Sequence, residues 1–242
     1  MDAISSGGNG PRVVDAGRGL GWWVDAWALF MRNPGMWVVF GVVCFVLFVV
    51  LSFIPFLGSL VVALLSPVLM AGWLIAARKL EAGGTLEVGD LFSAFKSHLN
   101  PLMVLGALLL GVTIVIGLMA GMLGVGAAAG LGIGGARGSA AGMMAGLGAG
   151  MLAVLLMLVV GFLVGMAIWF APALVVFRNM APIDAAKASF AASLKNVMAF
   201  LVFGAIYIVA AIVASIPFGL GWLVLVPLLA LCAYLSYKEV FE

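Results

Sequence analysis

The sequence contains very little charge. Only 8% of its 242 residues are Asp, Glu, Lys or Arg, against roughly 25% in an ordinary soluble domain. Because 11 basic and 9 acidic side chains cannot supply the polar surface that a chain of this size needs in water, the composition excludes a soluble globular protein. With 66% apolar residues, it predicts an all-α integral membrane protein in contact with the lipid bilayer.

The N-terminus lacks the pattern of a secretory signal. Residues 1–17 are polar and glycine-rich, with no basic stretch before a short apolar core. We therefore expect no cleavable signal and a flexible cytoplasmic tail over 1–17. The net charge of +2 forms no concentrated basic face, which argues against a nucleic-acid partner. The two cysteines, Cys44 and Cys232, lie in apolar runs and predict no disulfide.

Side chains that carry chemistry are also scarce. The single histidine, His98, has no Cys or Glu cluster at metal-ligand spacing, so we interpret it as an ordinary interfacial residue. Gly132-Ile-Gly134 lacks the βαβ setting of a phosphate-binding loop, and hydroxyls such as that of Ser66 have no base partner in the sequence pattern. The sequence therefore predicts no catalytic residue, no metal, no cofactor and no enzymatic activity.

Six apolar runs are long enough to cross a bilayer, whose hydrocarbon core of about 30 Å requires about 20 helical residues. They are approximately 34–54, 57–77, 102–123, 152–177, 197–215 and 219–237. With six crossings, every Lys and Arg except Arg137 falls on the side of the N-terminus. Because cytoplasmic loops carry the excess of Lys and Arg, both termini are expected in the cytoplasm.

An internal repeat is visible between the first and last thirds of the chain. At a constant offset, Asn33, Gly41 and Ser52 match Asn196, Gly204 and Ser215. Ile-Pro-Phe follows Ser215 directly and follows Ser52 after one intervening residue. A weaker third copy carries Asn100-Pro101. We divide the single membrane domain, 18–240, into repeats 18–80, 88–178 and 182–240. Each enters and leaves on the cytoplasmic side, which predicts three parallel helical hairpins.

An amphipathic stretch precedes the first span of each repeat. The stretches cover about Arg18–Arg32, Asp90–Leu99 and Pro182–Val197. Each has apolar residues at helical spacing. They are interpreted as interfacial helices in the cytoplasmic headgroup layer. Alternatively, they are cytoplasmic extensions of the membrane helices, anchored by Trp and basic residues.

Proline marks candidate hinges and kinks. Asn33-Pro34 and Asn100-Pro101 favour a break before a span, because the residue before proline avoids the helical region. Asn196 is followed by valine, so the third copy lacks this signal. Pro67, Pro172 and Pro227 lie within spans, where they free backbone carbonyls. Those carbonyls either line a pathway for a neutral solute or reflect kinks for packing only.

Glycine recurs at every fourth position in an insertion over 124–151. The positions are Gly126, Gly130, Gly134, Gly138, Gly142, Gly146 and Gly150. This glycine-zipper spacing lines one helix face and lets two backbones approach closely in lipid. The segment is either a hairpin, re-entrant or extracytoplasmic, whose arms pack on each other or on another subunit, or a mobile low-complexity loop.

Three short motifs resemble a known family. They are Trp27-Ala-Leu-Phe with Asn33-Pro34, Leu91-Phe92 with Asn100-Pro101, and Phe170-Ala-Pro-Ala with Ala188-Ser-Phe and Leu194-Lys-Asn196. Over about 20–240 the chain resembles the YciC-like group of bacterial multi-pass proteins, and the related membrane domain attached to some glycerophosphodiester phosphodiesterases. The resemblance implies six helices in the bacterial cytoplasmic (inner) membrane, with no established activity. Since no hydrolase domain is attached, we expect no phosphodiesterase chemistry.

Two functions remain compatible with these patterns. The glycine register and the missing polar chemistry favour a non-enzymatic scaffold or accessory subunit that self-associates or binds a membrane partner. The parallel repeats and the proline-containing return helices favour instead a channel or transporter for a neutral or lipid-like solute.

Overall fold

The chain folds into ten α-helices and one 3₁₀ turn within the residues that the computed structural model describes, 10–55, 57–130 and 140–242. The helices are α1 (Arg18–Phe30), α2 (Pro34–Ser52), α3 (Leu57–Glu81), α4 (Ser93–Ser97), α5 (Leu99–Gly130), α6 (Ala140–Trp169), α7 (Ala171–Arg178), α8 (Pro182–Lys195), α9 (Val197–Ser215) and α10 (Trp222–Phe241). The 3₁₀ turn, Val88–Phe92, leads directly into α4, and the two together are called the 88–97 segment. No strand occurs among these residues.

Six helical segments in the described ranges are long and apolar enough to cross a membrane. They are Pro34–Ser52, Leu57–Glu81, Leu99–Met122, Gly146–Arg178, Val197–Ser215 and Trp222–Phe241. The prediction of a helical protein with six segments suited to cross a membrane is thus confirmed for the described residues, and it fits a multi-pass membrane protein. The composition alone dictates this outcome, because backbone groups in hydrocarbon must be satisfied within each helix.

Helices α5 and α6 extend beyond the predicted third and fourth spans into the glycine-rich insertion. Helix α5 has 32 residues and α6 has 30, whereas the apolar runs predicted spans at 102–123 and 152–177. The described ends of the glycine-rich insertion, up to Gly130 and from Ala140, continue the two helices. Neither described extension, 123–130 or 140–151, contains a proline or a charged residue that would end the helix.

The chain divides into two compact units, Met1–Gly106 with Ala167–Glu242, and Ala107–Met166. In the first unit, α10 packs against α1, α2, α3 and α9. Its residues form the centre of an apolar core, in which Leu231, Cys232 and Tyr234 are buried. Trp22 of α1 is fully buried and contacts Phe200 and Phe203 of α9 through tilted ring pairs. The second unit contains most of α5 and α6.

Short breaks separate several helices of the first unit. Asn33 is non-helical and its side chain caps α2, accepting a hydrogen bond from the Met36 amide at 3.3 Å, with Pro34 at the first helical position. In the second copy the bend lies at His98, and Asn100 and Pro101 lie in the first turn of α5. A proline is tolerated there because the first turn has no intrahelical acceptor for its missing N–H.

The third break occurs without a proline. A turn at Asn196 separates α8 from α9, although Asn196-Val197 carries no sequence signal for one. The Asn196 side chain stabilises the turn, because its amide nitrogen donates at 2.9 Å to the Ala192 carbonyl, which also accepts from the Asn196 backbone amide at 3.2 Å.

Candidate functional site

An apolar groove of about 550 Å³ lies between α2, α3, α10 and the 88–97 segment, all in the first unit. Helix positions one turn apart supply its walls, as expected for facing stripes of packed helices. We call this the apolar groove. Its lining residues are Gly41, Cys44, Phe45, Leu47, Phe48, Leu51, Val62, Leu65, Ser66, Leu69, Phe92, Phe95, Trp222, Leu223 and Val226.

The few polar groups on the groove wall already have partners within the protein. The Ser66 hydroxyl donates to the Ala63 carbonyl at 3.1 Å, and the Trp222 indole N–H donates to the Ser215 hydroxyl at 3.2 Å. A ligand inside the groove therefore meets hydrocarbon and aromatic surface. Such a wall can hold an apolar chain by shape.

The two intrahelical prolines lie directly beside the groove. Pro67 follows Ser66, and Pro227 follows Val226. Pro67 cannot donate to the Ala63 carbonyl, so the Ser66 hydroxyl satisfies that oxygen instead. Pro227 likewise cannot donate to Leu223, whose carbonyl oxygen lies against Gly41, 3.1 Å from where a β-carbon would stand. The Ala63 carbonyl is thus satisfied within α3, and the Leu223 carbonyl lies where α2 approaches α10.

Close helix contacts in the first unit depend on glycines that no sequence pattern singles out. A β-carbon on Gly72 would overlap with the Leu91 carbonyl of the 88–97 segment, and one on Gly106 would overlap with Leu64. Gly19, Gly58 and Gly221 are similarly close to Ala199, Leu51 and Ala214. The sequence signal for such positions is weak, because a single glycine does not specify which distant backbone it meets.

The predicted zipper glycines are only partly described. Gly126 and Gly130 lie in α5, and Gly142, Gly146 and Gly150 in α6; Gly146 is buried and Gly150 half-buried. Gly134 and Gly138 lie outside the described residues, as do the surroundings of Gly126, Gly130 and Gly142.

Pro172, the remaining residue predicted as a hinge or kink, lies just after a bend. Phe170 interrupts the fourth span, and Pro172 occupies the first turn of α7. The Phe170 amide donates to the Ser189 hydroxyl of α8 at 3.0 Å, so the bend is fixed by a contact with a later helix.

A charged cluster joins the C-terminal ends of α3 and α10 to α1. In α1, Arg18 pairs with Glu239 at 2.6 Å and with Asp25 at 2.9 Å. The hydrogen bonds to Glu239 and Asp25 raise the pKa of the Arg18 guanidinium further above its ordinary value. The Trp22 indole donates to Glu239 at 2.8 Å. These contacts hold α1 against the end of α10.

The same cluster also links α3 to α10. Glu81 accepts hydrogen bonds from Lys238 and from the Tyr234 hydroxyl, both at 2.6 Å, and Arg78 pairs with Glu242. The acidic and basic side chains pair with one another and so hold α3 against α10. We call this set of contacts, centred on Glu81 and Lys238, the clamp. No local sequence pattern indicates this clamp, since its members are separated by more than 150 positions.

Asn196 also binds the N-terminal segment. Its amide nitrogen donates to the Arg12 carbonyl at 2.9 Å, and its amide oxygen accepts from the Val14 amide at 2.7 Å. The Arg12 amide donates to the Val240 carbonyl at 2.9 Å. Residues 12–14 are therefore docked on the helices, in contrast to the flexible tail predicted for 1–17. The polar composition of this segment gives no indication that a buried asparagine binds it.

His98 has polar neighbours and lies in the break before α5. Its Nδ1 atom is 2.8 Å from the Ser97 hydroxyl, and its Nε2 atom is 3.2 Å from the Asn179 side-chain oxygen. Within the described ranges, no three His, Cys, Asp or Glu side chains are grouped so that they could hold a metal ion.

Comparison with known proteins gives no relative: no family model, no curated protein and no solved structure matches this chain.

Proposed function

We propose that this protein is a non-enzymatic scaffold or accessory subunit that associates, through α5 and α6, with a second copy or with a membrane partner. The main support for this proposal is the length of these two helices. At about 1.5 Å per residue, α5 and α6 are roughly 48 and 45 Å long, and neither contains a charged residue. A bilayer core of about 30 Å covers only part of that length.

Tilting does not remove the excess. Even a tilt of about 40°, the upper end of the observed range, leaves roughly 37 and 34 Å along the membrane normal. The excess coincides with the glycine- and alanine-rich ends of the two helices, where Gly126, Gly130, Gly142, Gly146 and Gly150 recur at every fourth position. Close packing against another helix would cover these apolar ends and use the glycine face.

Native mass spectrometry from nanodiscs tests this association. We expect the wild-type protein to appear as a defined oligomer or heteromer, and Gly142→Leu to reduce it to a monomer. Gly148→Leu is the matched control, because Gly148 lies in the same helix, outside the every-fourth series, with no atom within 4 Å of where a β-carbon would stand. A monomeric wild type, or an oligomer that survives Gly142→Leu, would contradict the proposal.

The three-hairpin repeat and the cytoplasmic position of both termini belong to the same proposal. The clamp at Glu81 and Lys238 supports them, since it requires the return helices α3 and α10 to finish on one side. Helix α1 supports an interfacial position, because Leu20, Val24 and Trp27 are exposed opposite its buried face. The resemblance to the YciC-like group supports the bacterial cytoplasmic membrane as the location.

Transport of a neutral or lipid-like solute is the second candidate function, favoured by the apolar groove and by the two prolines beside it. Movement of a solute in proteoliposomes, lost on Pro67→Ala or Pro227→Ala, would support transport. Unchanged flux in both variants would oppose a role for these kinks.

A further inference from the structure

We infer that the apolar groove binds one acyl chain of a membrane phospholipid. The helices that form three of its walls, α2, α3 and α10, are all candidate membrane spans. Three of its lining residues, Phe45, Phe48 and Val226, are exposed at the outer surface of these helices, and in a bilayer the molecules that surround membrane-spanning helices are phospholipid chains. Its volume of about 550 Å³ falls within the range of roughly 300–1,000 Å³ that is typical of small-molecule sites.

The chemistry of the wall selects a hydrocarbon chain over a ligand with an internal polar group. The Ser66 hydroxyl and the Trp222 indole are both engaged within the protein. A quinone or sterol polar group placed inside the groove would lose its hydrogen bonds to water or headgroups without replacement. An acyl chain carries no such group along its length, so it enters without this cost.

The reason for a bound chain is packing. In a bilayer there is no hydrophobic gain on entering the groove, because lipid tails are as apolar as its wall. Vacant space, however, deprives the surrounding side chains of dispersion contacts. The aromatic rings of Phe45, Phe48, Phe92 and Phe95 line the groove and offer a surface against which a single chain packs. A chain held in this way exchanges more slowly than the lipid around it.

Lipid binding in the groove is independent of self-association through α5 and α6, and it requires a bound lipid without requiring that the lipid moves. A bound lipid can therefore be found even if the oligomer and flux experiments fail. Equally, those experiments can succeed if no lipid is bound.

The first experiment uses the unmodified protein in vesicles that contain a phospholipid with a photoactivatable group in one acyl chain. After illumination, we expect cross-links concentrated at groove positions on α2, α3 and α10, such as Cys44, Leu69 and Val226. Exposed positions on α9, such as Val209 and Ile212, serve as the control for ordinary surrounding lipid. Cross-links spread equally over both sets would overturn the inference.

The second experiment compares variants by native mass spectrometry after detergent extraction. We expect the wild type to retain one phospholipid, and Ser66→Phe and Cys44→Phe to lose it, because the larger side chains fill the groove. Val46→Phe should retain it, since Val46 lies on α2 with its side chain exposed away from the groove lining. Retention of a free fatty acid, or of a second protein chain in place of the lipid, would contradict the assignment.

Discussion

Single residues decide how closely the helices of the first unit approach. Gly72 permits α3 to contact the backbone of the 88–97 segment at Leu91, and Ser66 satisfies a carbonyl that Pro67 leaves without a donor. Both residues are small. Gly72 lets two backbones come close together, and Ser66 brings a hydroxyl to a backbone carbonyl. In lipid, where association between helices depends on packing, such contacts carry much of the specificity.

Replacing Gly72 by alanine tests the importance of this close approach. The new β-carbon would overlap with the Leu91 carbonyl, and because backbone cannot yield as a flexible side chain does, we expect a loss of about 1–3 kcal/mol of stability. Thermal unfolding in detergent, followed by tryptophan fluorescence, measures the change.

Gly161→Ala provides the control for the glycine prediction. Gly161 is in the interior of α6 with nothing within 4 Å of the β-carbon position, so alanine should raise helix stability by up to about 1 kcal/mol. Equal tolerance of alanine at both positions would show that the approach at Gly72 is not close enough to matter.

Among the helices and their connections, ends and short segments are held by residues far away in the chain. The N-terminal residues 12–14 bind to Asn196 and to Val240, and α1 is held at Glu239. The second amphipathic stretch is a 3₁₀ turn followed by one short helix, fixed where Lys79 pairs with Asp90 at 2.9 Å. Local periodicity predicted helical residues there and did not predict the partners.

The variant Asn196→Ala tests the docking of the N-terminal segment. Removing its amide leaves the Val14 amide and the Arg12 carbonyl without their partner, which should cost about 1–3 kcal/mol. That cost corresponds to roughly 5- to 150-fold more opening, so trypsin should cleave after Arg12 faster by a similar factor.

Asn33→Ala is the matched change, because Asn33 caps α2 through the Met36 amide and follows the end of α1 that is remote from residues 12–14. Its cleavage rate after Arg12 should equal that of the wild type. Comparable acceleration in both variants would indicate general loosening and would refute a specific docking role for Asn196.

For the molecule as a whole, six apolar helices and a one-sided charge distribution predict the orientation in the membrane. A cysteine at position 137, introduced as Arg137→Cys, should react with an impermeant thiol reagent added outside intact cells. Cys44 and Cys232 lie within spans, so the unmodified protein supplies the background.

Lys187→Cys checks the opposite side. Lys187 is exposed on α8, and we expect the cysteine there to react only after lysis. The reverse labelling pattern, or reaction at position 137 only after lysis, would invert the proposed topology and with it the direction of all three hairpins.

The helical class and the six spans follow from the amino-acid sequence alone. A chain with so few charges has to satisfy every backbone group in lipid, and uninterrupted apolar length is a local property that can be counted directly. The positions of the prolines and of Asn33 are equally readable, because their effects on adjacent backbone are likewise local.

Which residues meet one another depends on the packing of the helices. The apolar groove combines residues near 45, 66, 93 and 224, and the clamp joins Glu81 to Lys238. The turn at Asn196 is bound by an N-terminal segment 182 positions away. Such contacts follow from how apolar helices pack side by side, and nearly uniform hydrophobicity leaves the choice of partner faces open until the backbones approach one another.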